Sequence, residues 1–253
     1  MSLHYQIIGD GGSPLLLIHG LFGSADNWRG IAKQFAKTRQ VISVDLRNHG
    51  RSFHHAQQNY ALMAADIAST LDTLGLEKVN LLGHSIGGKV AMQFAADYPA
   101  RLDKLIVVDI APRQYADSHS QILKNLLAVN LAQFKQRREV DAALASSIED
   151  KTILSFLLTN LTTVDGKLDW RINLNHLLCN YPALLQAVKL AEPVSQPSLF
   201  ISGAHSDYIS AADRQQIREK FSNVRLLSIA NAGHWVHADQ PDAFCQTVES
   251  FLK

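Results

Sequence analysis

A chain of 253 residues can bury a large core, and 24 Lys plus Arg against 23 Asp plus Glu leave a net charge of +1. That balance gives no electrostatic reason to bind nucleic acid or an anionic membrane, and it fits a small, fairly neutral substrate better. No apolar run reaches the ~18 residues needed to span a bilayer, and the stretch MSLHYQIIGDGG lacks a basic segment followed by a long apolar one. Cys179 and Cys245 have no C-x-x-C or metal-ligand spacing, so the expectation is an unexported, cytoplasmic protein with two free thiols.

Short apolar runs alternate with longer helical patterns, which predicts parallel strands joined by crossover helices. A first strand falls around Leu3–Ile8 and ends at the turn GDGGSP. The run Leu15–Ile18 follows and leads into HGLFGS, where His19 and Gly20 turn the chain and expose the amides of Leu21 or Phe22. Val41–Val44 is the next strand, followed by the loop DLRNHGRS. Ile67, Leu71 and Leu74 recur at helical spacing before Gly75 closes that helix.

Val79–Leu82 then runs into Gly83, His84, Ser85, Ile86 and Gly87, and a helix over 85–97 stops before Pro99. Strand, strained turn and helix in that order are what present a serine as a nucleophile. Leu105–Val108 ends on Asp109. Across 111–193 the strand rhythm breaks into leucine-rich helical patterns, including Ile122–Leu131 and Ile153–Leu161, which predicts an all-helical insertion. The rhythm resumes after EPVSQP with Ser198–Ser202 and Arg225–Ile229, and a terminal helix follows NAGHWVHADQP. The expected fold class is α/β, a mostly parallel sheet with helices on both faces, built from 1–110 and 194–253 around the insertion.

In an open parallel sheet the residues just past the strands face the ligand crevice. Ser85 is there as a candidate nucleophile, and the amide of Ile86, with that of Leu21 or Phe22, is placed to bind a developing oxyanion. Removing a proton from a serine hydroxyl needs a group that titrates near neutrality, and there are eleven histidines. His234, in the loop after the last strand, is the expected base. His84 is read as a structural part of the elbow, and His237 as part of the start of the final helix. His234 and His237 form an H-x-x-H pair, but no third ligand accompanies them, so neither a metal nor a cofactor is expected. Two aspartates can orient the imidazole, Asp109 after one strand and Asp207 after the next, and residue pattern alone leaves both open.

The motifs HGLFGS, DLRNHGRS, GHSIGG and NAGHWVHADQP fall in order over nearly the whole chain, and the sequence resembles the α/β-hydrolase superfamily. With GHSIGGKVAM and VDIAPRQY, it is most similar to the YbfF-like small bacterial esterases and their mitochondrial relatives. The resemblance implies a serine hydrolase of carboxylic esters or thioesters, with Ser85, Asp109 and His234 as its triad and 111–193 as a helical lid. Many superfamily members carry the acid where this chain has Ser206, which cannot hold the charge. The YbfF-like pattern favours Asp109 over Asp207, and it makes Arg47, Asn48 and His49 packing or gating groups. An aspartate nucleophile, as in dehalogenases and epoxide hydrolases, does not fit Ser85. A carbon–carbon bond hydrolase, an aminopeptidase-like enzyme and a ligand-binding protein on the same frame stay open, as do acyl-CoA preference and oligomeric state.

Overall fold

The computed structural model describes residues 2–253. Its strands are β1 (Tyr5–Ile8), β2 (Leu15–Ile18), β3 (Val41–Val44), β4 (Val79–His84), β5 (Leu102–Val108), β6 (Leu161–Val164), β7 (Lys167–Trp170), β8 (Ser198–Gly203) and β9 (Val224–Ile229). Its helices are α1 (Arg29–Phe35), α2 (Tyr60–Thr73), α3 (Ile86–Asp97), α4 (Ser120–Ala128) and α5 (Arg137–Leu144). They continue as α6 (Lys151–Leu158), α7 (Leu174–Leu185), α8 (Ala211–Lys220), α9 (Val236–Asp239) and α10 (Pro241–Leu252). Seven strands form one sheet in the order β1-β3-β2-β4-β5-β8-β9. β1 runs antiparallel to β3, and every other neighbouring pair in that sheet is parallel.

β2 and β3 are buried along their whole length, which requires cover on both faces and explains why LLLI and VISV read as runs rather than alternations. Successive side chains then feed two separate cores. Leu16 and Ile18, Leu105 and Val107, and Phe200 join the core that α2 and α3 cover with Met63, Ile67, Leu71, Val90 and Phe94. Leu15 and Leu17, Ile106 and Val108, and Leu199 and Ile201 meet Trp28, Phe35, Phe244 and Val248 of the opposite layer. α2 starts where the Asn59 side chain accepts the Leu62 amide, and it ends where Gly75 takes φ +67, the left-handed residue that closes a helix.

The segment between β5 and β8 is not all-helical. It carries α4 to α7 and also the antiparallel hairpin β6–β7, with Leu161 opposite Trp170 and Val164 opposite Lys167. Asp165 and Gly166 sit at its tip with φ +48 and +76, the two left-handed residues of a tight hairpin turn. The signal was an Asp-Gly pair flanked by Thr, Val and Trp, residues that prefer strands. The expected helix to Leu161 stops at Leu158 because the chain turns there into β6, and the pattern to Leu131 is α4 followed by a short 3-10 turn. At the N-terminus Leu3 is buried, with its amide on the Thr70 hydroxyl at 3.0 Å, but pairing begins only at Tyr5. Cys179 and Cys245 are free, and among the described residues no helix is long and apolar enough to cross a membrane.

Candidate active site

Ser85 forms the turn between β4 and α3 with φ +54 and ψ −124, a conformation that costs a non-glycine residue about 1–3 kcal/mol. Its backbone is held on both sides. The Ser85 amide donates to Val108 O at 3.0 Å, extending the sheet register, and its carbonyl accepts the Gly88 amide at 2.9 Å, opening the helix. Glycines flank the turn because nothing larger fits. A Cβ at Gly83 would lie 2.1 Å from the Gly87 carbonyl oxygen, and one at Gly87 would lie 2.5 Å from that of Ile18.

Across from the elbow, residues 20–23 form a turn closed by the Gly23 amide on Gly20 O at 3.0 Å, with Phe22 at φ +63. Among the described residues the amides of Leu21 and Phe22 donate to no backbone carbonyl. The Ile86 amide is the first of α3, one of the N–H groups a helix leaves without an internal partner. Asn160, buried in the turn between α6 and β6, donates from Nδ2 to Phe22 O at 2.8 Å, so the Phe22–Gly23 peptide is anchored at both its oxygen and its N–H.

His234 and Asp109 meet directly: Nδ1 of the imidazole lies 2.8 Å from Asp109 Oδ2. Asp109 is fully buried, at φ +51 where β5 ends, and it also accepts the Gly203 amide on Oδ1 at 3.2 Å and the Ser206 hydroxyl on Oδ2. Ser206, the position where the resemblance noted above looks for an acid, therefore hydrogen-bonds the Asp109 carboxylate. Asp207, the other aspartate of interest, is exposed on the loop after β8, at the rim of the cavity. The Tyr208 ring stacks on His234 with centroids 3.8 Å apart. His84 points its Nε2 at the His234 carbonyl, 2.9 Å away, so its N–H fixes the His234 loop from the β4–α3 turn itself.

Burial holds the neighbouring imidazoles neutral: desolvation, then repulsion from His234, lowers His84 well below 6.5. Desolvation likewise lowers His237, whose ring packs 4.4 Å from that of Trp28, to about 3, and it lowers His49 to about 3. Below pH 6.5 the unfolded chain protonates these groups while the fold does not, so stability present near pH 7 is lost as pH falls toward about 3. Each such histidine adds a slope of up to about 1.4 kcal/mol per pH unit in that window. The thermal unfolding midpoint is expected to fall steadily from pH 7 to pH 5, and His237→Gln to flatten the fall. A midpoint flat over that range would contradict the assignment.

Two cavity lobes meet at Ser85 and share Leu21, His119 and Tyr208. The first, about 250 Å³, is walled by Phe22, Ile153, Phe156, His234 and Trp235. The second, about 270 Å³, is walled by Tyr60, Ile86, Lys89, Tyr115 and Tyr181. Ile153, Phe156 and Tyr181 come from the segment between β5 and β8, which therefore covers the crevice. Arg47 is tied bidentately to Asp66 at 2.6 and 2.7 Å, and the Asn48 carbonyl accepts the Asn173 amide at 3.0 Å, so DLRNHGRS packs the loop against that segment. Sequence reading missed Ser206 as a partner of Asp109, together with Tyr208, Asn160, His119 and Lys89. Of these only Lys89 left a trace, a charged residue four positions after Ser85 on the buried α3.

Residues 13–241 match the family model described as the alpha/beta hydrolase fold. The chain is 37% identical over 262 residues to the sn-1-specific diacylglycerol lipase ABHD11 of Mus musculus, covering 100% of this chain and 85% of that one. It is 37% identical over 241 residues to Esterase YbfF of Escherichia coli, covering 95% and 93% of the two chains. Among solved structures, a marine microorganism esterase superposes with a TM-score of 0.96 at 38% identity, covering 99% of both chains.

Proposed function

Because the chain belongs to the α/β-hydrolase family and is a carboxylesterase-type hydrolase, we propose that Ser85, His234 and Asp109 are its nucleophile, base and acid. The observation that carries this reading is the 2.8 Å contact of His234 Nδ1 with the buried Asp109 carboxylate, in the crevice where Ser85 stands in its left-handed turn. With Nδ1 so engaged, Nε2 is the nitrogen left for the serine hydroxyl. Ser85 Oγ attacks the acyl carbonyl carbon while Nε2 takes its proton, and Asp109 holds the imidazole and stabilises its positive form. The amides of Ile86 and of Leu21 or Phe22 bind the oxyanion, and losing one such donor costs about 3 kcal/mol of barrier. Collapse expels the alcohol or thiol with the proton from His234, and water, deprotonated by the same imidazole, releases the acid.

Residues 111–193 act as a lid whose hairpin and helices wall the crevice, over a core of 1–110 and 194–253. The substrate is a small acyl ester or thioester, and no cofactor enters the reaction. Multiple turnovers of 4-nitrophenyl butanoate by the purified protein are expected. A folded protein that turns over neither this ester nor a butanoyl thioester would overturn the reading in favour of a binding role.

Asn160 positions the oxyanion loop from the lid, so Asn160→Ala is expected to lower kcat about tenfold with a smaller change in KM. An unchanged kcat in the folded variant would show that the Gly20–Gly23 turn holds its shape without the lid.

A further inference from the structure

Lys89 stands on α3 four residues after Ser85, one helical turn and about 6 Å further along the axis. Its side chain is buried at 1% exposure, yet among the described residues no carboxylate lies within ion-pair distance of its Nζ. Its partners are the Gln186 carbonyl at 2.7 Å, the Leu185 carbonyl at a marginal 3.5 Å, and the faces of Tyr115 and Tyr60 at 4.9 and 5.3 Å. An ammonium has three N–H groups, so at least one is left for the cavity that Lys89 lines. Burial, with Arg113 adding repulsion, pushes its pKa down to about 7, the mark of a cation without an anion beside it.

The chemistry of the reaction says which part of a substrate reaches this lobe. His234 must protonate the leaving group, so that group occupies the first lobe, which His234 lines. The second lobe is lined by Ser85 and Ile86 but not by His234, which makes it the acyl side. Other charges there are already engaged or distant. Arg113 is paired with Asp213 at 2.9 Å and stacked 3.8 Å over Tyr115, and Asp207 is solvated at the rim. The Tyr115 hydroxyl donates to Tyr208 O at 2.7 Å, and that of Tyr60 to Leu184 O, so these rings present walls rather than donors.

We propose that Lys89 makes the second lobe a subsite for an acyl group ending in a carboxylate, so that the preferred substrate is a monoester or monothioester of a short dicarboxylic acid. This rests on the serine-hydrolase reading. A chain ending in methyl leaves the buried N–H facing hydrocarbon, whereas a terminal carboxylate accepts it and supplies the missing counter-charge.

Two 4-nitrophenyl esters of equal chain length, the pentanoate and the hemiglutarate, test this by their ratio of kcat/KM. The unchanged protein is expected to favour the hemiglutarate at least tenfold, and Lys89→Met to reduce that ratio at least tenfold. A ratio at or below one in the unchanged protein overturns the proposal. So does an unreduced ratio in folded Lys89→Met, which would leave Lys89 as a tether for the end of α7. If Lys89→Met does not fold, Lys89→Gln carries the same comparison. If neither ester is turned over, the hydrolase reading fails separately, and calorimetric titration of glutarate then decides the subsite: binding lost in the Lys89 variant supports it, and no binding overturns it.

Discussion

Ser85→Ala is expected to lower kcat on a short acyl ester by roughly 10⁴-fold or more, while far-ultraviolet circular dichroism and the unfolding midpoint stay close to those of the unchanged protein. The size of the loss follows from the arrangement of the site. With Ser85 as the proposed nucleophile, its removal leaves His234 with no hydroxyl to deprotonate, so only binding and the oxyanion amides are expected to contribute to the residual rate. The fold should tolerate the change, because the turn is held by backbone bonds from Ser85 N to Val108 O and from Gly88 N to Ser85 O, neither of which needs the hydroxyl. Turnover within tenfold of the unchanged protein would remove Ser85 from the mechanism.

The second large effect separates two adjacent loops. Asp109→Asn keeps the shape of a fully buried side chain but presents an amide to an imidazole nitrogen that must stay a donor, and the wrong tautomer or orientation is expected to cost kcat about 10⁴-fold. Asp207→Asn is expected to cost less than tenfold, because that carboxylate is exposed and the bond to His234 comes from Asp109. Initial rates of the two variants on one ester decide the matter, and the reverse order of losses would move the acid to Asp207. Ser206→Ala belongs to the same comparison: it removes one of three hydrogen bonds to Asp109 and leaves the His234 contact, so its effect should fall between the other two.

Much of this arrangement was legible in the residues, for physical reasons that differ from place to place. LLLI and VISV read as strands because both faces are covered, and the elbow stood out because glycines are forced at positions 83 and 87 by backbone contact. His234 stood out by its position in the loop that follows the last strand, next to Gly233. The choice between Asp109 and Asp207 was harder, because it depends on a left-handed residue at the end of β5 and on a loop after β8 that turns Ser206 toward the carboxylate. The hairpin β6–β7 went unread because leucine-rich helical periodicity on either side outweighed a single Asp-Gly turn. Lys89 went unread for a related reason. A lysine on a helix is ordinarily solvated, and only the packed structure shows this one buried against the end of α7.

The most direct test of the central claim is to trap the acyl-enzyme. The protein is mixed with a slowly deacylated 4-nitrophenyl ester and quenched in acid, then the intact chain is weighed and the adduct mapped by peptide sequencing. One acyl group per chain is expected, located on Ser85, formed in step with a burst of 4-nitrophenol and absent from His234→Ala within the same interval. An adduct on any other residue, or turnover with no covalent species at any quench time, would contradict it.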